Sequence, residues 1–184
     1  MKHIKIRTTD IFLDDKGNGR GKITVSDTAM DYNFSYYWGA MGSDLSEFIQ
    51  QINPSYFAGK LCRELYVMDV KKTMANVRSC IKEELPWYKY PSAQKELRQE
   101  LNEIQDSVES KESFVGHMES LLDNIICYDL DYYETESFKD TLRGVIEMPW
   151  NLIIEKPSRQ YEWLESLLPK LQKEVSKQKT VEVC

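Results

Sequence analysis

Apolar and polar positions alternate over the first 38 residues of this 184-residue chain. Ile4 and Ile6 alternate with His3, Lys5 and Arg7, Ile23 and Val25 alternate with Lys22 and Thr24, and Tyr32, Phe34 and Tyr36 share one parity. A period of two is what a strand with one buried face requires, because successive side chains point to opposite sides. Two polar stretches separate these runs: DDKGNGRG at 14–21, rich in glycine as a loop needing positive φ is, and SDTAMD at 26–31. The pattern predicts a three-stranded antiparallel meander.

Beyond Gly42 the period lengthens to about 3.6, the repeat of an amphipathic helix. Asp44 is placed to cap a short helix beginning at Leu45, with Glu47 at its third position, and Asn53-Pro54 ends it. Val70, Met74, Val77, Ile81 and Leu85 form one helical face stopped by Pro86, and Leu97, Leu101, Ile104 and Val108 form another in a strongly polar segment. Phe114, Met118, Leu121, Leu122, Ile125 and Ile126 make a wider apolar face. A further helix is predicted from about Glu136 to Met148, then the apolar run Trp150 to Ile154, then a last helix opened by Pro157-Ser158. That helix carries Tyr161, Leu164, Leu167, Leu168 and Leu171 on one face, with Pro169 inside it as an expected kink. Together these elements predict an α+β fold, a small N-terminal antiparallel sheet of about three strands packed against a mostly helical remainder. The expected organisation is a single domain over 1–184, with the sheet and first helix at 1–61, the helical part at 62–176 and a frayed tail at 177–184. PWYKYPS (86–92) reads as an ordered hinge.

Charge adds an asymmetry. Residues 1–82 carry 12 Lys+Arg against 9 Asp+Glu and residues 83–184 carry 12 against 21, so the net charge of -6 divides into +3 and -9. Between Glu83 and Glu136 there are 14 acidic and 4 basic residues. An acidic chain is a poor general ligand for phosphate backbones, whose affinity comes mostly from Lys and Arg, so basic partners are expected. Cys62, Cys80, Cys127 and Cys184 are too widely spaced for a C-x-x-C pair, and MKHIKIRTTD has no apolar signal region. They read as reduced thiols of a cytoplasmic protein, Cys80 and Cys127 in the core. No apolar run approaches the ~20 residues of a membrane span.

Several stretches invite a chemical reading. YYWGAMGSDLSEFIQQ (36–51) places glycines just before a helix start, as phosphate-binding loops do, but it lacks both the GxGxxG and the GK[ST] spacing, and Asp44 would set its own carboxylate on the amides. A structural strand-to-helix junction is the better reading, with Tyr37, on the opposite parity from Tyr36, left as a candidate contact residue. Only His3 and His117 could join a zinc site, and they lie in separate elements. DLDYYETE (129–136) has four carboxylates without the glycine and spacing of a calcium loop, so no metal and no cofactor are expected. Neither histidine can be paired with a thiol from sequence. His3 with Lys5 or Arg7 could support metal-independent RNA cleavage, though a basic edge strand is the better account of them. Rows of helical carboxylates can be a solvated surface, or can imitate a nucleic-acid backbone and enter a basic groove.

The block KIRTTDIFLDDKGNGRGKITVSDTAMDYNFSYYWGAMGSDLSEFIQQINPSYFAGKL, with SRQYEWLESLLPKLQ near the C-terminus, resembles small proteins encoded by phages and prophages, among them anti-CRISPR inhibitors of the type II RNA-guided nuclease. The resemblance implies a mobile-element inhibitor acting in the host cytoplasm by binding the nuclease or its guide-RNA complex. It aligns no catalytic residue. Carboxylates at Glu96, Glu103, Glu109, Asp129, Asp131, Glu134 and Glu136 are the candidate contacts to a basic channel. Lys2, Lys5, Arg7, Lys16, Arg20, Lys22 and Tyr37 are the candidate contacts to RNA. Two other functions fit the same features: a ribonuclease that shortens the guide, and an immunity protein that neutralises a toxin. A three-stranded sheet would also leave an edge for a homodimer.

Overall fold

The computed structural model describes residues 1–85, 91–125 and 130–181, which leaves most of the expected hinge segment, Ile126, Cys127, Asp129 and Cys184 outside the described residues. The fold is α+β, with four N-terminal strands where the sequence predicts about three: β1 (Lys2–Ile6), β2 (Thr9–Gly17), β3 (Arg20–Asp27) and β4 (Tyr32–Trp38), antiparallel in that order. The additional strand arises at Arg7-Thr8, a two-residue turn that carries none of the Gly, Asn or Asp residues that mark turns in sequence; Arg7 itself takes φ 55. Arg7 therefore sits in a turn and not on the exposed parity of the first strand. The helices are α1 (Leu45–Gln51), α2 (Pro54–Leu61), α3 (Val70–Glu84), α4 (Pro91–Ser107), α5 (Lys111–Asn124), α6 (Tyr132–Ile146) and α7 (Arg159–Val181). Two three-residue strands, β5 (Tyr66–Met68) and β6 (Glu155–Pro157), pair with each other, and a 3-10 turn spans Pro149–Leu152.

The chain divides into two compact units, one of residues 1–66 and 157–184, the other of residues 67–156. In the first, the inner face of the sheet (Ile4, Ile11, Leu13, Ile23, Val25, Phe34, Trp38) is covered by Leu45 and Ile49 of α1, Phe57, Ala58 and Leu61 of α2, and Leu164, Leu167, Leu168, Leu171 and Val175 of α7. Trp163 of α7 lies edge-on to Tyr32, ring centroids 5.4 Å apart. Pro169 is exposed, and α7 continues past it to Val181. Cys62 is the buried thiol of this unit, whereas Cys80, expected in the core, is only half-buried on α3.

Two polar devices hold this unit's parts in register. Asp27 ties two turns together: its Oδ2 accepts from the hydroxyls of Thr9 (2.6 Å) and Thr8 (3.0 Å), and its Oδ1 accepts from the amides of Met30 (2.9 Å) and Ala29 (3.0 Å). Gln172 of α7 closes the end of α1, its amide donating to the carbonyls of Ile49 and Ile52 at 3.0 Å each, while the Gln50 amide donates back to the Gln172 carbonyl at 2.5 Å. Those α1 carbonyls have no partner inside their own helix, so the side chain supplies what the helix end lacks.

In the second unit, α3, α4, α5 and α6 bury the leucines, isoleucines and phenylalanines that their 3.6 periodicity placed on one face, around Phe114, Met118, Phe138 and Leu142. The segment after α6 is stitched to α3. The Asp69 amide donates to the Ile154 carbonyl (2.7 Å), the Ile154 amide donates to Thr73 Oγ1 (2.9 Å), and the Asn76 amide donates to the Leu152 carbonyl (3.1 Å). α6 starts four residues earlier than its hydrophobic pattern indicates because Asp131 and Glu134 build a reciprocal capping box at its N-terminus.

Burial pushes the Asp27 carboxyl up, but the hydrogen bonds from Thr9, Met30, Thr8 and Ala29 outweigh it and hold the group below its ordinary range. A depressed folded pKa contributes stability above the unfolded value of about 3.9, and that contribution is lost as pH falls through the lower folded value. Asp27→Asn is expected to destabilise the protein by about 1–3 kcal/mol at neutral pH and to flatten the fall in stability below about pH 4. Urea denaturation at a series of pH values tests this; parallel acid sensitivity in the two proteins would exclude Asp27 as a titrating group. Gln172→Leu, which keeps the volume and removes the donor, is expected to cost about 1–2 kcal/mol, read as a lower urea midpoint at unchanged slope.

Candidate functional site

The glycine-containing junction before α1 is built as a structural corner. Asp44 Oδ1 accepts from the Glu47 amide (2.8 Å), and Asp15, reaching from β2, accepts from the Leu45 amide through Oδ2 (2.9 Å) and from Gly17 through Oδ1 (2.7 Å). The Leu45 and Gly17 amides hold the Asp15 carboxyl below its usual range. Two carboxylates of the protein itself thus occupy the amides that a phosphate would need. Gly42 stands at φ 79, and a Cβ on Gly19 would lie 3.2 Å from the Gly42 nitrogen, so the glycines serve the turn and the close approach of two loops.

The acidic excess belongs to the second unit. By sequence its 90 residues, 67–156, hold 11 Lys+Arg against 18 Asp+Glu, a net of -7, whereas the other unit holds 13 against 12, a net of +1. Helical spacing arranges these carboxylates in rows. Glu96, Glu100 and Glu103 follow one another at four and three residues along α4, Glu112, Glu119 and Asp123 run along α5 opposite its buried face, and Glu136, Asp140 and Glu147 do the same on and just past α6. Glu103, Glu109, Glu112, Glu119, Asp123 and Glu136 are exposed, Glu96 and Glu100 half-buried.

Among the described residues, none of the α4 and α5 carboxylates in these rows forms an ion pair, while Asp140 is paired with Arg143 and Glu155 with Lys111. Glu103 accepts from the Gln99 amide at 3.0 Å. Of the acidic residues singled out by sequence, Asp131 and Glu134 are spent on the α6 capping box, and Asp129 lies outside the described residues. Glu112, Glu119 and Asp123 were not singled out, although their spacing of seven and four is legible. Beside the capping box, Tyr132 and Tyr133 are 73% and 82% exposed, with rings edge-to-face at 5.7 Å.

The other charged surface is the outer face of the sheet. Lys5, Arg20, Lys22 and Tyr37 share it, while Lys2 has the parity of the buried Ile4 and Arg7 lies in the turn. His3 is stacked on Phe12, centroids 4.7 Å apart and planes 14° from parallel, and its Nε2 lies 2.8 Å from Asp10 Oδ1, which also faces Lys5 at 3.8 Å. Asp14 pairs with Lys16 at 2.6 Å. Lys22, directly opposite Tyr37 in the ladder, and Arg20 form no ion pair among the described residues. Phe12 was missed in the sequence because β2 itself was missed.

His3 and Arg7, weighed for acid–base cleavage of RNA, occupy a strand and the turn after it; His3 is engaged by Asp10. Cys62 donates to the Glu64 carbonyl at 3.1 Å and lies 3.7 Å from the Ser158 hydroxyl, with no histidine beside it. Among the described residues no group of three or more His, Cys, Asp or Glu side chains is arranged to hold a metal ion, and no described helix is long and apolar enough to cross a membrane.

Comparison with known proteins gives one assignment. No curated protein and no solved structure matches the chain. A family model described as a phage family, Phage_phiTE_072, matches residues 1–177, and the chain belongs to that family of phage proteins.

Proposed function

We propose that this phage-family protein is an inhibitor that acts by stoichiometric binding to a host RNA-guided nuclease of the type II CRISPR class, or to its guide-RNA complex. The observation that carries this reading is the acidic rows of α4 and α5, exposed at Glu103, Glu112, Glu119 and Asp123 and forming no ion pair among the described residues. Carboxylates repeated along a helix present negative charge at regular intervals, and a groove evolved to hold a phosphate backbone is the complementary surface. Charge steers such an encounter and sets its rate, while affinity rests on a few large side chains that lose their water. Tyr132 and Tyr133, aromatic and exposed beside the acidic N-terminus of α6, are of the type that supplies those anchors.

The test is protection of a labelled DNA target from cleavage by the purified nuclease and guide. The wild-type protein is expected to block cleavage near a 1:1 ratio. The triple charge reversal Glu103→Lys, Glu112→Lys, Glu119→Lys, all at exposed positions, is expected to keep its melting temperature and to weaken inhibition about tenfold or more, with the wild-type effect itself declining at higher salt. Unchanged inhibition by the reversed protein would remove the charge-imitation reading, and shortened guide at substoichiometric protein would replace binding with cleavage.

A further inference from the structure

We infer that the outer face of the four-stranded sheet is a platform for single-stranded nucleic acid, on which His3, backed by Phe12, and Tyr37 stack on bases while Lys22 and Arg20 hold phosphates. This goes beyond the proposed binding to a nuclease and does not depend on it, since it concerns a different unit and a different ligand.

The packing of this unit leaves the face open. α1, α2 and α7 all lie against the inner face through their buried leucines, isoleucines and phenylalanine, and Tyr37 is 50% exposed. Around the rings the outward positions are short and polar: Thr24, Ser26, Asn33 and Ser35, with the Thr24 and Ser35 hydroxyls 3.3 Å apart. Short neighbours flank Tyr37 and Phe12, and the His3 side chain, stacked beside Phe12 on the edge strand, is 49% exposed.

The ladder fixes the separation of the two stacking positions. Phe12 is opposite Thr24 and Thr24 opposite Ser35, whereas Tyr37 is two residues further along β4. His3 is opposite Phe12, so three strand spacings and two residue steps place His3 and Tyr37 about 16 Å apart on the diagonal. That is too far for neighbouring bases of a continuous stack, so the rings take bases splayed from one strand, which a duplex does not offer.

Charge favours a nucleic acid over an apolar peptide. The two carboxylates on the face are already matched, Asp10 by His3 and Lys5, and Asp14, opposite Lys22 in the ladder, by Lys16, so Lys22 and Arg20 form no ion pair among the described residues. Sequence-tolerant binding of single strands combines these two elements, cations tracking the backbone and rings under the bases.

The experiment is fluorescence anisotropy of the full-length protein with labelled eight-nucleotide RNA and DNA strands, with a duplex hairpin as a third arm, at about 50 mM salt. Binding of either or both single strands in preference to the hairpin is expected, and the RNA and DNA arms identify which sugar is accepted. Tyr37→Ala and His3→Ala should each weaken binding about fivefold or more, and Tyr37→Phe should retain it. Lys22→Gln should reduce the slope of log affinity against log salt by about 0.7. Unchanged melting temperatures confirm that these exposed substitutions leave the fold intact. Absence of strand binding, or binding that Tyr37→Ala and His3→Ala leave unaltered, overturns the platform. Variants that lose strand binding yet still inhibit a nuclease would leave the inhibitor reading standing, and loss of inhibition only in the acidic-row variant would leave the platform standing.

Discussion

A sheet with one apolar face must have that face covered, and here the cover comes from both ends of the chain. Strands alone bury nothing on the inner side; α1 and α2 close part of it, and Leu164, Leu167, Leu168, Leu171 and Val175 of α7 close the rest. Residues 67–156, which come between α2 and α7 in the chain, form a compact unit of their own. The hydrophobic gain of burying that face is what holds the N- and C-terminal segments in one core. The Gln50–Gln172 exchange and the Asp27 hub then set the register, because each satisfies backbone groups that would otherwise be desolvated without a partner.

The two units are specialised by charge. Unit 67–156 carries the acidic excess, and its helices spend their apolar faces on each other, so the carboxylates are left outward in rows. The sheet unit is nearly neutral overall but shows an outer face on which cations and rings alternate with hydroxyls. A phage protein built this way has two chemically distinct surfaces, one of carboxylates in helical rows and one of cations and rings on a sheet.

Local carboxylates account for much of the apparent chemistry in the sequence. Asp15 and Asp44 fill the amides at the start of α1, Asp131 and Glu134 fill those of α6, and Asp27 closes a turn. In each case an anion is bound, but it is the protein's own, and the consequence is a fixed helix start or turn. The glycine-containing junction at 36–51 therefore has a structural task.

Periodicity alone determined that the chain is α+β, that α3, α4, α5 and α7 exist, and which side of each is buried, because a repeat of two or 3.6 depends only on local geometry. It also placed Tyr37 opposite Tyr36. The fourth strand was illegible, since its turn places Arg7 at positive φ without a turn-forming residue, and with β2 went Phe12 and the His3–Phe12 stack. Only the tertiary structure decided that α7 packs on the sheet, that Gln172 caps α1, and that the α4 and α5 rows form no ion pair among the described residues. Those outcomes depend on which distant groups meet, and a sequence read along one dimension carries no distance between residues 50 and 172.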